Sequence, residues 1–454
     1  MKKRRYESTF SLSASLVLVA MLTLAYWRVW IAYYAEEIIE PFWTKGHFMI
    51  LFIYIVLLTV LTNIYGGKSI AANRIWDVIY AHSLSLAIAN IITYFQICLL
   101  AYSLPNAVPM VFLSLGGFML TALWAVGVKV FYRRRFPPRN LLVAYDDYSP
   151  DGLIKKLCRL DDQYKIGGKM RIDGDLDSLF EELKKYDGMV ICDVHAAHKS
   201  DIVKYCYEND IPLFISPKLS DIIIRGAENS TAIDTPVLIC HNRGLRPEQR
   251  VLKRCFDLFM ILPLAVLFSP FMLLSALAIK LHDGGSVFYK QPRLTLDGKI
   301  FMIYKFRSMR ADAEHGKAQL ARKNDDRVTP VGRLLRATHF DETPQIFNII
   351  KGEMSIVGPR PERPEIAEEY ANEIPEFGYR LKTKAGLTGY AQVFGKYNTT
   401  PYDKLKLDLF YIHNQSFLLD IELVLKTVKI IFERENTEGI EDGQRTASSH
   451  NKKE

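Results

Sequence analysis

The residues best equipped for chemistry lie between Arg333 and Pro361, in the run RLLRATHFDETPQIFNIIKGEMSIVGPRP. Arg336 precedes an adjacent carboxylate pair, Asp341-Glu342, and Pro344 then opens an apolar stretch that stops at Gly352. A Gly358-Pro359-Arg360-Pro361 turn closes the run. Pro344 suits the first turn of a helix, where its missing N–H would have no partner anyway, and Gly352 suits its end. The carboxylate pair is therefore expected at or just before a helix N-terminus, where free N–H groups and the dipole favour a bound anion. An acidic dipeptide at such a place is most often only a favourable first turn. Beside a basic arm it also suits a metal and a phosphate sharing one site.

A second basic arm lies upstream. In the strand-like stretch FMIYKFRSM (301–309), Lys305 and Arg307 share one face by period-two alternation. Two cations on one face are commonly a solvated strand edge; they also suit a clamp for a diphosphate. Residues 311–327 are charged and read as loop or exposed helix.

The elements that must position these groups begin with the membrane. At 454 residues the chain has room for two or three domains, and 49% of its residues are hydrophobic. Met1–Tyr6 carries Lys2, Lys3, Arg4 and Arg5 ahead of an apolar run at 10–30, and three more such runs follow near 47–66, 77–102 and 107–132. Each is long enough to cross a bilayer. The loop 35–46 holds Lys45 against three glutamates, whereas the N-terminus, the loop with Lys68 and Arg74, and 129–139 are basic. The positive-inside rule then puts both ends of a four-helix unit (1–135) in the cytoplasm.

Beyond Phe136-Pro137-Pro138, strands are expected at 140–145, 188–194 and 212–217, with helices at 179–186 and 199–209. This alternation predicts a Rossmann-like parallel α/β domain over 138–245. The turn after its first strand reads Asp146-Asp147-Tyr148-Ser149-Pro150 and has no glycine fingerprint. A structural or regulatory module is expected there rather than a dinucleotide site.

A fifth apolar segment, Leu258–Ile279, is preceded by Lys253 and Arg254, followed by Lys280, and interrupted by Ser269-Pro270. Basic residues at both ends and a helix-breaking proline predict a re-entrant helix rather than a span. Ser269 is expected to satisfy a backbone carbonyl freed by Pro270, and Lys253, Arg254 and Lys280 to sit near anionic headgroups. A net charge of +8 suits an anionic lipid surface or a phosphorylated substrate. The basic residues cluster beside apolar segments, which points away from nucleic acid. Six scattered cysteines without metal-type spacing read as reduced thiols.

Several ordered motifs now stand together: Lys253-Arg254-x-x-Asp257, Ser269-Pro270, YKFRSM (304–309), and Arg336-x4-Asp341-Glu342-x-Pro344-Gln345. GPRPE (358–362), AGLTGYAQVFGK (385–396), Asp408-x-x-Tyr411 and Ser416-x3-Asp420 continue the series. This set resembles the bacterial sugar transferase family, monotopic polyprenol-phosphate phosphoglycosyl transferases, over 250–432. The whole chain resembles the family's long members, such as undecaprenyl-phosphate galactose or glucose phosphotransferases. One departure is Phe394, where the family usually has asparagine before Gly395.

The resemblance implies transfer of a hexose 1-phosphate, glucose or galactose, from a UDP-sugar to undecaprenyl phosphate with release of UMP. That would be the first membrane step of exopolysaccharide, capsule or O-antigen synthesis. It implies Asp341 as nucleophile for a covalent phosphosugar intermediate, Glu342 as the Mg²⁺ ligand, and Lys305 and Arg336 near the phosphates, with Arg360 a further candidate. Arg307, Gln345, Pro359, Pro361, Asp408, Tyr411, Arg254, Asp257, Ser269 and Pro270 match motif positions. Orientation is the expectation for Gln345, and deprotonation or metal support for Asp408.

The implied fold is a four-span α-helical bundle, a Rossmann-like α/β domain, and an α+β catalytic domain (250–435) on a re-entrant helix, with a disordered tail at 436–454. The implied setting is the bacterial cytoplasmic membrane, as a homodimer, with catalytic domain and termini on the cytoplasmic side. Two alternatives are a membrane nucleotide-sugar hydrolase using water as acceptor, and a non-enzymatic scaffold or regulator of polysaccharide export.

Overall fold

The computed structural model describes residues 7–38, 44–67, 70, 73–146, 149–172, 174–232, 234–240, 244–309, 327–395 and 399–431. The basic N-terminus, Lys68, the 311–326 segment, Lys396 and the C-terminal tail lie outside the described residues. The chain divides into two compact units, Met1–Pro217 and Lys218–Glu454.

The first unit opens with four apolar helices: α1 (Glu7–Val29, prolonged by a π turn at Trp30–Tyr34), α2 (Thr44–Ile64), α3 (Ile75–Ala101) and α4 (Val108–Arg135). All four are long and apolar enough to cross a membrane. Their outward residues include Leu16, Phe52, Phe95, Phe112 and Leu123, whereas Tyr54, Asn90 and Thr121 are buried. This inside-out pattern suits a lipid solvent, where interhelical hydrogen bonds and close packing replace a hydrophobic core. Tyr54 donates to Asn90 Oδ1 at 3.0 Å, and Asn90 donates to Ser114 Oγ at 2.8 Å. At the base of α4, Lys129 donates to the carbonyls of Ile70 and Asn73 and pairs with Asp162 at 2.7 Å. Both charges of that pair are nearly fully buried, so neither can be removed alone without stranding the other.

Asp162 belongs to the α/β portion of the same unit, built from β1 (Arg139–Tyr145), α5 (Asp151–Leu157), β2 (Tyr164–Arg171), α6 (Leu176–Leu183), β3 (Gly188–Cys192), α7 (Ala196–Glu208) and β4 (Leu213–Ile215). The four strands form one parallel sheet in the order β2-β1-β3-β4. The sequence predicts the parallel sheet but neither α5 nor β2. β2 reads YKIGGKMR, with alternating partly buried and exposed positions and a glycine pair that weakens its strand signal.

The second unit carries every candidate chemical residue. After α8 (Leu219–Arg225) and a hairpin of β5 (Glu228–Ala232) and β6 (Thr235–Ile239) comes α9, Pro247–Asp283, a 37-residue helix. Pro247 at its first turn and Gly284 in the left-handed region (φ 69°) bound it. Pro263 and Pro270 lie inside it. Pro270 cannot donate to Val266, four residues back, and the Ser269 hydroxyl takes that carbonyl instead, at 2.8 Å.

The motif at the start of α9 plugs the helix into the domain. Asp257 accepts from Ser355 Oγ (3.0 Å) and the Ile356 amide (3.1 Å). Arg254 donates to the carbonyls of Ile349 and Ile350, each at 2.6 Å. Lys253 pairs with Asp420 at 2.7 Å, and the Tyr411 hydroxyl donates to the same carboxylate. Lys280 donates to the Gly284 carbonyl at 2.7 Å. The sequence places all three cations at lipid headgroups. Lys253 and Arg254 instead complete internal contacts, because buried carboxylates and open helix-end carbonyls demand partners.

Around α9 lie the hairpin β7 (Phe288–Leu294) and β8 (Ile300–Phe306), α10 (Pro330–Ala337), α11 (Gln345–Lys351), and the parallel pair β9 (Ser355–Val357) and β10 (Gly386–Thr388). Helices α12 (Pro364–Glu373), α13 (Tyr390–Phe394), α14 (Pro401–His413) and α15 (Phe417–Ile431) follow in turn. One apolar core joins Ile261 of α9 to Phe301, Ile303, Ile346, Ile349, Val357 and Leu423. A second joins Ile279 of α9 to Phe306 and Leu335. Both flanks of α9 thus pack on the same unit, while Phe259, Val266, Leu273, Leu274 and Leu281 stay exposed.

Candidate active site

The carboxylate pair sits on a single 3₁₀ turn, Phe340–Glu342, wedged between α10 and α11. His339 enters that turn in the left-handed region (φ 54°), a conformation in which histidine is over-represented among non-glycine residues. Pro344 and Gly352 bound α11 where the sequence places them, with Gly352 at φ 84°. The free amides expected at the helix start are largely used up. Thr343, Ile346 and Phe347 each donate to the carbonyl three residues back. Positive charge at this site must come from side chains.

Two cations supply it. Lys305, from the end of β8, reaches Glu342 Oε1 at 2.6 Å, and Arg360 reaches the same oxygen at 3.1 Å. Burial opposes the charge of Glu342, but Lys305 and Arg360 together hold its carboxyl well below the usual glutamate range. Asp341, one residue away, is pushed up, chiefly by burial and then by the neighbouring Glu342, against the pull of Lys305 and Arg336. Adjacent carboxylates thus differ in acidity: Glu342 favours the anion and Asp341 is the more basic of the two.

Three devices fix this geometry. The first is Asn348, fully buried on α11, which accepts from the Tyr304 amide (3.0 Å) and donates to the Met302 carbonyl (2.8 Å). It locks α11 to β8, and so sets Lys305 opposite Glu342.

The second is the Gly-Pro-Arg-Pro turn, whose carbonyls from Pro359 onward are all held. Pro359 accepts from Gly386 N, Arg360 from Arg380, Pro361 from Arg293 and Glu362 from Leu294 N. The two prolines carry no N–H and fix φ, so the turn presents Arg360 with little freedom. A Cβ on Gly386 would run into the Gly358 backbone, so this crossing admits only glycine.

The third is Arg380, buried, whose Nε and Nη2 lie 2.9 and 2.8 Å from Asp408 Oδ2, with Glu362 at 3.5 Å. Asp408, expected to aid deprotonation or a metal, is instead spent on Arg380 behind the turn. Sequence reasoning misses Arg380 and Asn348; nothing local marks them, since their partners lie 28 and 44 residues away.

The remaining candidates divide. Arg336 donates through Nε to Ser308 Oγ at 2.9 Å and faces Asp341 electrostatically. The Arg307 guanidinium packs against Gly285. Gln345 is buried in the first turn of α11. Tyr411 works with Lys253 and Asp420 at the base of α9.

A divalent cation fits the pair in one respect. Glu342 brings a carboxylate, a hard oxygen ligand, beside the cations that would meet a phosphate. Mg²⁺ typically takes one or two carboxylates, with substrate phosphate and water completing the shell. Among the described residues no cluster of three or more His, Cys, Asp or Glu could hold a metal alone.

A family model described as bacterial sugar transferase matches residues 248–434. The chain is 40% identical over 324 residues to the UDP-N-acetylgalactosamine-undecaprenyl-phosphate N-acetylgalactosaminephosphotransferase of Aeromonas hydrophila, covering 69% of this chain and 71% of that one. It is 34% identical over 266 residues to the UDP-glucose:undecaprenyl-phosphate glucose-1-phosphate transferase of Escherichia coli K12, covering 56% and 57%. It is 35% identical over 215 residues to the undecaprenyl-phosphate galactose phosphotransferase of Salmonella typhimurium LT2, covering 44% of each. The first of these matches is longer than the family segment and therefore extends outside it. On this match and on the motifs assembled at Asp341-Glu342, the chain belongs to the bacterial sugar transferase family.

Proposed function

We propose that this protein transfers a sugar 1-phosphate from a UDP-sugar to undecaprenyl phosphate. The observation that carries the reading is the paired carboxylate turn, in which Lys305 and Arg360 grip Glu342 while Asp341 stays buried and more basic. An Asp341 carboxylate oxygen attacks the β-phosphorus of the donor. The bond from that phosphorus to the bridging oxygen breaks, and UMP leaves with the electron pair. An oxygen of the lipid phosphate then attacks the same phosphorus, the aspartyl–phosphate bond breaks, and the lipid diphosphate sugar departs with Asp341 restored. Splitting one displacement into two lets each partner use the same phosphate cradle. Lys305, Arg336 and Arg360 offset the charge that develops on the phosphoryl oxygens. Mg²⁺, held through Glu342, supplies further neutralisation of the diphosphate when bound.

The acceptor is a lipid, so the site belongs at a membrane surface. α9 carries exposed apolar residues along its length while both its flanks are anchored in one unit, which supports a helix that enters one leaflet and returns. The basic segments of the N-terminal unit favour the cytoplasmic face of a bacterial inner membrane. We hold glucose or galactose as the sugar; the relatives' names also include N-acetylgalactosamine. The test is UMP release by purified full-length protein with Mg²⁺, undecaprenyl phosphate and a panel of these three UDP-sugars. One donor is expected to give UMP together with a lipid-linked diphosphate sugar. UMP without lipid product, undiminished when the acceptor is omitted, would convert the reading to a hydrolase; no UMP from any donor would overturn it.

A further inference from the structure

Asp341 is preceded by Phe340, whose ring is gripped by the helix that bears the exposed apolar face. The Phe268 ring meets it edge-on with centroids 5.8 Å apart, and Phe271 does the same at 6.4 Å. These two residues straddle Ser269-Pro270, the place where α9 lacks one backbone hydrogen bond and Ser269 takes up the carbonyl of Val266. Three residues apart on a helix, they share one face.

The other side of Phe340 belongs to the core formed by Ile279, Phe306 and Leu335, with Met272, Ala276, Val287 and Val331 around it. Phe306 lies between Lys305 and Arg307, and Leu335 precedes Arg336, so one apolar cluster backs the basic arms and the carboxylate turn together. The Phe340 carbonyl accepts from both the amide and the hydroxyl of Thr343, at 3.2 and 2.8 Å. With His339 fixed at positive φ before it, the turn has little slack to absorb a movement of the ring.

We propose that Phe340 is a positioning residue that couples the Ser269-Pro270 break of α9 to the placement of Asp341. A helix is softest where a hydrogen bond is missing, and both rings flanking that spot touch Phe340. A change in how α9 is seated in lipid therefore reaches Asp341 through one side chain. The coupling rests on Asp341 being the nucleophile of the proposed reaction.

The test uses full-length protein in phosphatidylglycerol–phosphatidylethanolamine nanodiscs, with turnover expressed per titrated active site so that unfolded protein does not count. Phe340→Ala is expected to lower kcat about tenfold or more while leaving the donor KM within about twofold, since sub-ångström placement governs turnover rather than donor binding. Phe340→Leu, which keeps an apolar body against α9, is expected to recover most of the loss. Phe271→Ala removes a ring that is 55% exposed and leaves little cavity, so it decides the matter even if Phe340→Ala does not fold. It is expected to lower kcat severalfold, and to add nothing in combination with Phe340→Ala, because coupled residues are non-additive. Wild-type kcat in Phe271→Ala, or losses that multiply in the double variant, would overturn the coupling. Full turnover by Asp341→Asn would instead remove the nucleophile on which it rests.

Discussion

Asp341 and Glu342 are neighbours in sequence yet carry opposite shifts, and that contrast has consequences for pH. Glu342 is held down by two cations and stays ionised throughout the working range. Asp341 is pushed up by burial and by Glu342, and in the proposed reaction only its ionised form attacks. The acid limb of kcat/KM should therefore lie above the ordinary aspartate value of about 3.9, with activity lost as pH falls through the raised value. Stability should show the reverse sign. Between the unfolded and folded values Asp341 binds more protons in the folded state, so ionising it above that window costs stability. Asp341→Asn should then melt higher than the unaltered protein at neutral pH, and the gain should vanish in acid. An acid limb at or below the ordinary value, or a lower melting temperature for Asp341→Asn, would contradict this assignment.

At the scale of elements, α9 shows how much of a local arrangement is written in adjacent residues. Pro270 announces a missing hydrogen bond and Ser269 offers the hydroxyl that fills it; the 2.8 Å contact to Val266 follows from adjacency alone. Pro344 and Gly352 likewise mark the ends of α11. What the local pattern cannot show is the partner of a long-range charge. Lys253 looks the same whether it faces a headgroup or Asp420, 167 residues on, and only the fold reveals the second. The same holds for Arg380 and Asn348, which position Arg360 and Lys305 from behind. The strand β2 is hidden for another reason: its side chains alternate, but two adjacent glycines weaken its strand character.

The re-entrant reading of α9 has its own test at this scale. In a background without other cysteines, Cys255 and a Ser286→Cys variant, both exposed positions flanking the apolar stretch, should label from the same, cytoplasmic side. Pro270→Ala restores the missing bond and should change the labelling of position 286 alone. Labelling from opposite sides in the Pro270 protein would mean that α9 crosses.

For the whole molecule, the sequence carries the division into an apolar helical portion, a parallel α/β portion and a motif-dense portion, because hydropathy and strand–helix alternation are local signals. The catalytic arrangement is legible only in outline. Motif order names Asp341, Glu342, Lys305 and Arg360, but which cation meets which carboxylate depends on β8, α11 and the Gly-Pro-Arg-Pro turn converging. In the proposed reaction Asp341 itself carries the sugar phosphate between donor and lipid. The most direct test is to incubate the full-length protein with Mg²⁺ and UDP-sugar labelled in the β-phosphate, without acceptor, and to locate the label by peptide mass analysis. The expected result is a phosphosugar on Asp341, formed with stoichiometric UMP, discharged by undecaprenyl phosphate and absent from Asp341→Asn. Lipid product formed at the normal rate by Asp341→Asn, or label found on another residue, would contradict it.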